Sequence, residues 1–200
     1  MKVISKKQGE LDGLCGIYSI TNAIMLLTEI EPEITFDFAL KSLFSDKNPM
    51  SVVDGFEIGT LRDTLSRTIK YLNSGKAELE EEDTGESYIP KLAFKIPYWQ
   101  TDPDNRSKFK EKMMEICEKN STVAILGYSY SNGNIDDNYS HWTVIKNVTP
   151  SNLMTYDSDH EYSRISWEKI LITSNDTTIS KHLKRPYLIR PRDLVLITNE

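Results

Sequence analysis

The chain has 200 residues, 38% hydrophobic and 27% charged, which is enough for one domain with a sizeable core and no need of disulfides or metal. A formal net charge of −6, from 24 Lys and Arg against 30 Asp and Glu, argues against general nucleic-acid binding. No apolar run approaches a membrane span, no apolar signal core follows Lys6 and Lys7, and two cysteines make no disulfide framework. The expectation is one cytoplasmic domain over 1–200, and delivery by a secretion system that leaves no cleaved peptide is compatible with the same sequence.

Apolar residues at 14, 17, 20, 24 and 27 predict a first helix over 14–27, with Asp12 as its cap and Gly13 allowing a tight approach. A second helix is expected over 34–44, a loop over 46–55, and a third helix over 59–72 from Leu61, Leu65, Ile69 and Leu72. The acidic stretch 78–86 reads as a solvated loop. A short strand over 92–98 and a fourth helix from 102–105 to about Lys119 follow, the latter burying Phe109, Met113, Ile116 and Cys117.

The second half changes character. Residues 122–130 are rich in β-formers, 131–139 form a polar turn, and 141–148 alternate as a strand opened by His141. A hairpin turn over 149–152 leads to a strand over 153–156. A short helix is expected over 166–172, then one or two strands over 187–197 bent near Pro191. Helices first and strands after read as α+β.

Cys15 stands at the start of the first helix. A cysteine there meets the positive end of the helix dipole, which favours thiolate over thiol and makes a nucleophile. Cys117, beside Ile116 on a helix, reads as core. A thiol nucleophile needs a base, and the base needs an orienting partner. His141 follows a polar loop on a strand, whereas His160 and His182 sit in strongly polar surroundings that suggest exposure. The hairpin near 149 brings Asp157 back toward His141, 16 residues earlier, so its carboxylate can orient the imidazole. Asp159 is the second choice for that role. The Cys15 backbone N–H and the upstream Gln8 amide are natural oxyanion donors, and Gly16 leaves room for a substrate at the helix end. Trp142 either packs under this pair or is a plain core residue. Tyr128, Tyr130 and Tyr139 either line a cleft or simply pack on the sheet. No Cys/His set has zinc-ligand spacing and no Gly-rich phosphate loop occurs, so no cofactor or metal is expected.

Together, Gln8, the Asp12-Gly13-Leu14-Cys15-Gly16 turn, His141-Trp142-Thr143-Val144 and Tyr156-Asp157 resemble the papain-like cysteine peptidase superfamily. The order Gln, Cys, His, Asp looks most like the peptidase domains of bacteriocin exporters, and the His-Trp pair is similar to that of Josephin-type deubiquitinases. The resemblance covers motif segments near both ends, while about 28–120 carries no recognisable family motif. The seven-residue step from Gln8 to Cys15 is slightly longer than the family's usual spacing.

The resemblance implies Cys15 as nucleophile, His141 as general base and acid, Asp157 as orienter and Gln8 in the oxyanion hole. It implies a papain-like α+β fold, with the nucleophile helix packed on a C-terminal antiparallel sheet. The expected activity is a thiol hydrolase cleaving peptide or isopeptide bonds in a protein or peptide substrate, with no nucleic acid or membrane as partner. The alternatives are a catalytically silent binding or regulatory module of the same fold, and a deamidase or acyltransferase effector using the same triad.

Overall fold

The computed structural model describes residues 14–28, 30–45, 56–77, 79, 88–100, 103, 106–131, 138–156, 163–174 and 185–200. Among the described residues four helices precede residue 118: α1 (Cys15–Leu27), α2 (Pro32–Phe44), α3 (Ile58–Leu72) and α4 (Arg106–Cys117). The strands are β1 (Leu92–Lys95), β2 (Thr122–Ser131), β3 (Asn138–Val148), β4 (Asn152–Tyr156), β5 (Ser163–Ser166), β6 (Ile170–Ile172) and β7 (Tyr187–Asn199). They form one seven-stranded sheet in the order β1-β7-β2-β3-β4-β5. All pairings are antiparallel except that of β6, which runs parallel to the first half of β7. The architecture is mixed α+β, as expected.

Both faces of the sheet are covered, and successive residues of the central strands serve opposite cores. Ile125 of β2, Val144 of β3 and Val195 and Ile197 of β7 join the core under α1, α2 and α3. Ala124, Leu126, Ile145, Leu194 and Leu196 join a second core under α4, where Phe109, Met113 and Ile116 make its buried stripe. Two-sided burial explains why these strands read as near-continuous apolar runs.

Helix α1 is the inner helix. Cys15, Gly16, Ile17, Ser19, Ile20, Thr21, Asn22, Ala23 and Ile24 are all buried, as befits a helix enclosed on every side. It lies between α2 and the sheet. Its C-terminus is finished by Thr28, whose hydroxyl donates to the Ile24 carbonyl at 2.8 Å. Asn199 ties that end to the sheet, donating from Nδ2 to the Leu27 carbonyl at 3.0 Å and accepting from the Lys91 N–H at 3.2 Å. Pro32 opens α2 at a position where a missing N–H costs nothing.

The 149–152 turn forms as expected: the Thr149 N–H donates to the Asn152 carbonyl at 2.8 Å, and the Thr149 hydroxyl accepts from the Asn152 N–H at 2.9 Å. Several expectations need correction. The N-cap of α1 is Leu14, which makes no side-chain capping bond; Asp12 and Gly13 lie outside the described residues. The strand over 92–98 ends at Lys95. The helix over 166–172 is only a 3₁₀ turn, Trp167–Lys169, after which Ile170–Ile172 pairs with β7, because tertiary pairing outweighs a weak local helix preference. Strand β3 begins at Asn138, so His141 sits inside the β2–β3 hairpin rather than opening the strand. Its alternation breaks between Ile145 and Asn147, where the register with β4 shifts.

The bend at Pro191 appears as an irregularity within one long strand. Ile189 pairs with Tyr128 and Leu194 with Leu126, so four β7 residues, Arg190 to Asp193, face the single Gly127. A proline that cannot donate to a ladder is accommodated in such a bulge. The bulge turns Arg190, Arg192 and Asp193 toward the site described next.

Candidate functional site

Cys15 is the first residue of α1, and the first intrahelical bond runs from the Tyr18 N–H to the Leu14 carbonyl at 3.1 Å. The Cys15 N–H therefore lies ahead of the helical ladder, where helix starts present unshared donors. The side chain belongs to the α1 core and the residue is 4% exposed.

The next residue is packed with little room to spare. A Cβ placed on Gly16 would lie 2.5 Å from Cγ and Cδ1 of Phe56, so glycine is required for the Phe56 ring to rest there. The space beside Gly16 that the sequence suggests for a substrate is filled in the structure by the Phe56 ring. The Phe56 carbonyl in turn accepts a 2.7 Å hydrogen bond from Nε1 of Trp142, the residue after His141. Trp142 is buried in the same core as Cys15, so it is a core residue with a fixed polar contact. Its ring also presses on the β2 backbone: a Cβ on Gly127 would lie 3.0 Å from Trp142 Cζ3 and Cη2 and 3.1 Å from Asp193 Cβ.

His141 is buried and pairs across the hairpin with Tyr128, their ring centroids 5.5 Å apart and tilted by 58°. By strand alternation it points away from the face that Trp142 and Val144 turn to α1, and its cross-strand partner Tyr128 belongs to the α4-side core. The structure thus places Cys15 and Trp142 in one core, and His141 one residue along the same strand. His141 and Trp142 both line a cleft of about 310 Å³, which Cys15 does not line.

That cleft also exposes Phe56, Glu57, Tyr128 and the β7 bulge. Glu57 and Asp193 bring acidic groups to it, and Arg190 and Arg192 basic ones. Sequence reasoning missed these four; Pro191 within a strand was the one signal that side chains would be re-aimed there. Tyr128 does both: it packs in the α4-side core and lines the cleft. Tyr130 packs instead against Tyr187, with centroids 4.9 Å apart, and burial, then the neighbouring Tyr130, raises the Tyr187 phenol above its ordinary range.

Gln8, Asp157, Asp159, His160 and His182 lie outside the described residues, as does the loop over 46–55. Cys117, at the end of α4, packs against the opposite core, and burial pushes its thiol up to about 11. Among the described residues no group of three or more His, Cys, Asp or Glu is placed to hold a metal ion. Among them, too, no helix is long and apolar enough to cross a membrane. No protein-family model matches this chain, and no curated protein matches it.

Proposed function

We propose that this chain is a papain-like thiol hydrolase acting on a peptide or isopeptide bond of a protein or peptide substrate. The observation that carries the reading is the cysteine at the first residue of a buried helix, linked through Gly16, Phe56 and Trp142 to the strand that bears His141 at a cleft. A helix start favours the thiolate and offers its N–H to a developing oxyanion.

In this mechanism His141, which the described state turns away from the α1 face, first swings toward Cys15; it then takes the Cys15 proton and the sulfur attacks the acyl carbon, forming a C–S bond and an oxyanion. The Cys15 N–H and the Gln8 amide stabilise that oxyanion. His141, oriented by Asp157, then protonates the leaving amine as the C–N bond breaks. Water attacks the resulting thioester, His141 takes its proton, and the C–S bond breaks to release the acid and restore the thiol. Deamidation and acyl transfer use the same residues and differ only in the leaving group and the final nucleophile.

An activated nitrophenyl ester tests the reading without knowledge of the substrate. The expected result is a burst of nitrophenolate with an acyl adduct on the Cys15 peptide, absent in Cys15→Ala and slow in His141→Ala. Equal acylation of Cys15 and Cys117, or a rate untouched by His141→Ala, overturns it and favours the silent module.

A further inference from the structure

A nucleophile must touch the carbon it attacks, yet Cys15 is 4% exposed and absent from the cleft wall. The residue that both packs on the first turn of α1 and lines the cleft is Phe56. Its ring covers Gly16, its carbonyl is held by the Trp142 N–H at 2.7 Å, and its outer side forms part of the cleft. Phe56 belongs to no helix or strand. It precedes Glu57, the extended N-cap of α3 at φ −82° and ψ 159°, and the first α3 bond runs from the Leu61 N–H to the Glu57 carbonyl at 2.9 Å. A rotation at Glu57 therefore moves Phe56 without disturbing a helical hydrogen bond.

We propose that Phe56 is an intramolecular plug over the first turn of α1, latched by Trp142, and that it swings out into the cleft to admit an acyl group to Cys15. This rests on reading Cys15 as the nucleophile. The described state is then a resting form, and substrate binding draws on a minor population in which the latch is open. The ligand chemistry that favours opening is an extended acyl chain lying along the cleft and presenting its carbonyl where the Phe56 ring now rests. The latch also couples access to the base, because the tryptophan that holds Phe56 adjoins His141.

The test is alkylation of the intact protein by iodoacetamide, read by mass spectrometry of the Cys15 and Cys117 peptides. Trp142→Phe keeps an aromatic ring and removes only the N–H donor; Phe56→Ala removes the plug. Opening predicts Cys15 labelling about fivefold faster in Trp142→Phe, the ratio that one hydrogen bond of ordinary net strength maintains. Phe56→Ala gives a larger increase, and Cys117 stays constant in both. The ratio holds at neutral and alkaline pH alike, because access rather than ionisation changes. Unchanged Cys15 labelling in Trp142→Phe, a joint rise of Cys15 and Cys117, or a rise confined to neutral pH overturns the plug. Faster Cys15 labelling without any nitrophenyl ester burst leaves the plug standing and removes the hydrolase, so the two failures are distinguishable.

Discussion

The two cysteines lie on opposite faces of one sheet and at opposite ends of their helices. Cys15 begins α1 in the three-helix layer, and Cys117 ends α4 in the single-helix layer. A helix start attracts negative charge and a helix end repels it, so the same side chain meets opposite fields. Around Cys15 lie a polar N–H, a latch and a nearby cleft; around Cys117 burial alone acts, and it holds the proton on sulfur. Cys15 is the more buried of the two, so on the proposed reading its position on the helix, and not its exposure, is what sets it apart.

The largest expected difference between the two sides is chemical. Cys15→Ala abolishes acyl-enzyme formation, and His141→Ala slows it by about 10²–10⁴-fold, while Cys117→Ala leaves it intact. Single-turnover kinetics with the nitrophenyl ester checks all three, and loss of the burst in Cys117→Ala would invert the assignment of the two faces.

The next effect concerns stability and should be symmetric. Ile125 and Leu126 are successive, fully buried residues of β2 that serve opposite cores. Each truncation to Ala costs about 2–5 kcal/mol in urea denaturation. Ile125→Ala should also disturb Cys15 labelling, whereas Leu126→Ala should disturb Cys117; crossed effects would break the division into two layers.

Gly127→Ala is smaller and sharper. The added methyl meets the Trp142 ring at 3.0 Å and Asp193 Cβ at 3.1 Å, neither a flexible chain end. Overpacking of this kind costs about 1–3 kcal/mol, and the Trp142 fluorescence should report the displaced ring. A variant as stable as the parent would show that the contact between strand β2 and Trp142 is slack.

The smallest effect is alkaline. The thiol of Cys117 ionises near 9.0 once unfolded but only at about 11 when native. Between those values the native chain holds the extra proton, so this contribution is full below about 9 and is lost as pH rises through about 11. Cys117→Val should flatten that part of the pH–stability curve measured by urea midpoints. An unchanged slope would mean that the thiol is not held away from water.

Helical periodicity was easy to read where one stripe is apolar. Leu61, Leu65, Ile69 and Leu72 mark α3 to within one residue at its start and to the same residue at its end, because a 3.6-residue repeat is a property of local sequence. The 3₁₀ turn at Trp167 was misread because its stretch is short and its second half is claimed by β7. The bulge at 190–193 was half legible: Pro191 announced a bend, yet nothing local said that Arg190, Arg192 and Asp193 would line the cleft beside His141. Phe56 was illegible, since a lone aromatic before a helix carries no periodic signal.

Local sequence alone determined an α+β chain, a cysteine at a helix start and a histidine on a hairpin strand, since these follow from periodicity, capping chemistry and turn residues acting over a few positions. Only the tertiary structure decided which core each strand residue serves, that Phe56 rests on Gly16, and that Trp142 holds it there. Those outcomes depend on volumes and hydrogen-bond partners brought together across 40 to 86 positions of chain, from Gly16 to Phe56 and from Phe56 to Trp142. No pattern within a single element encodes such contacts, because close approach of backbone and ring is settled only when the layers meet.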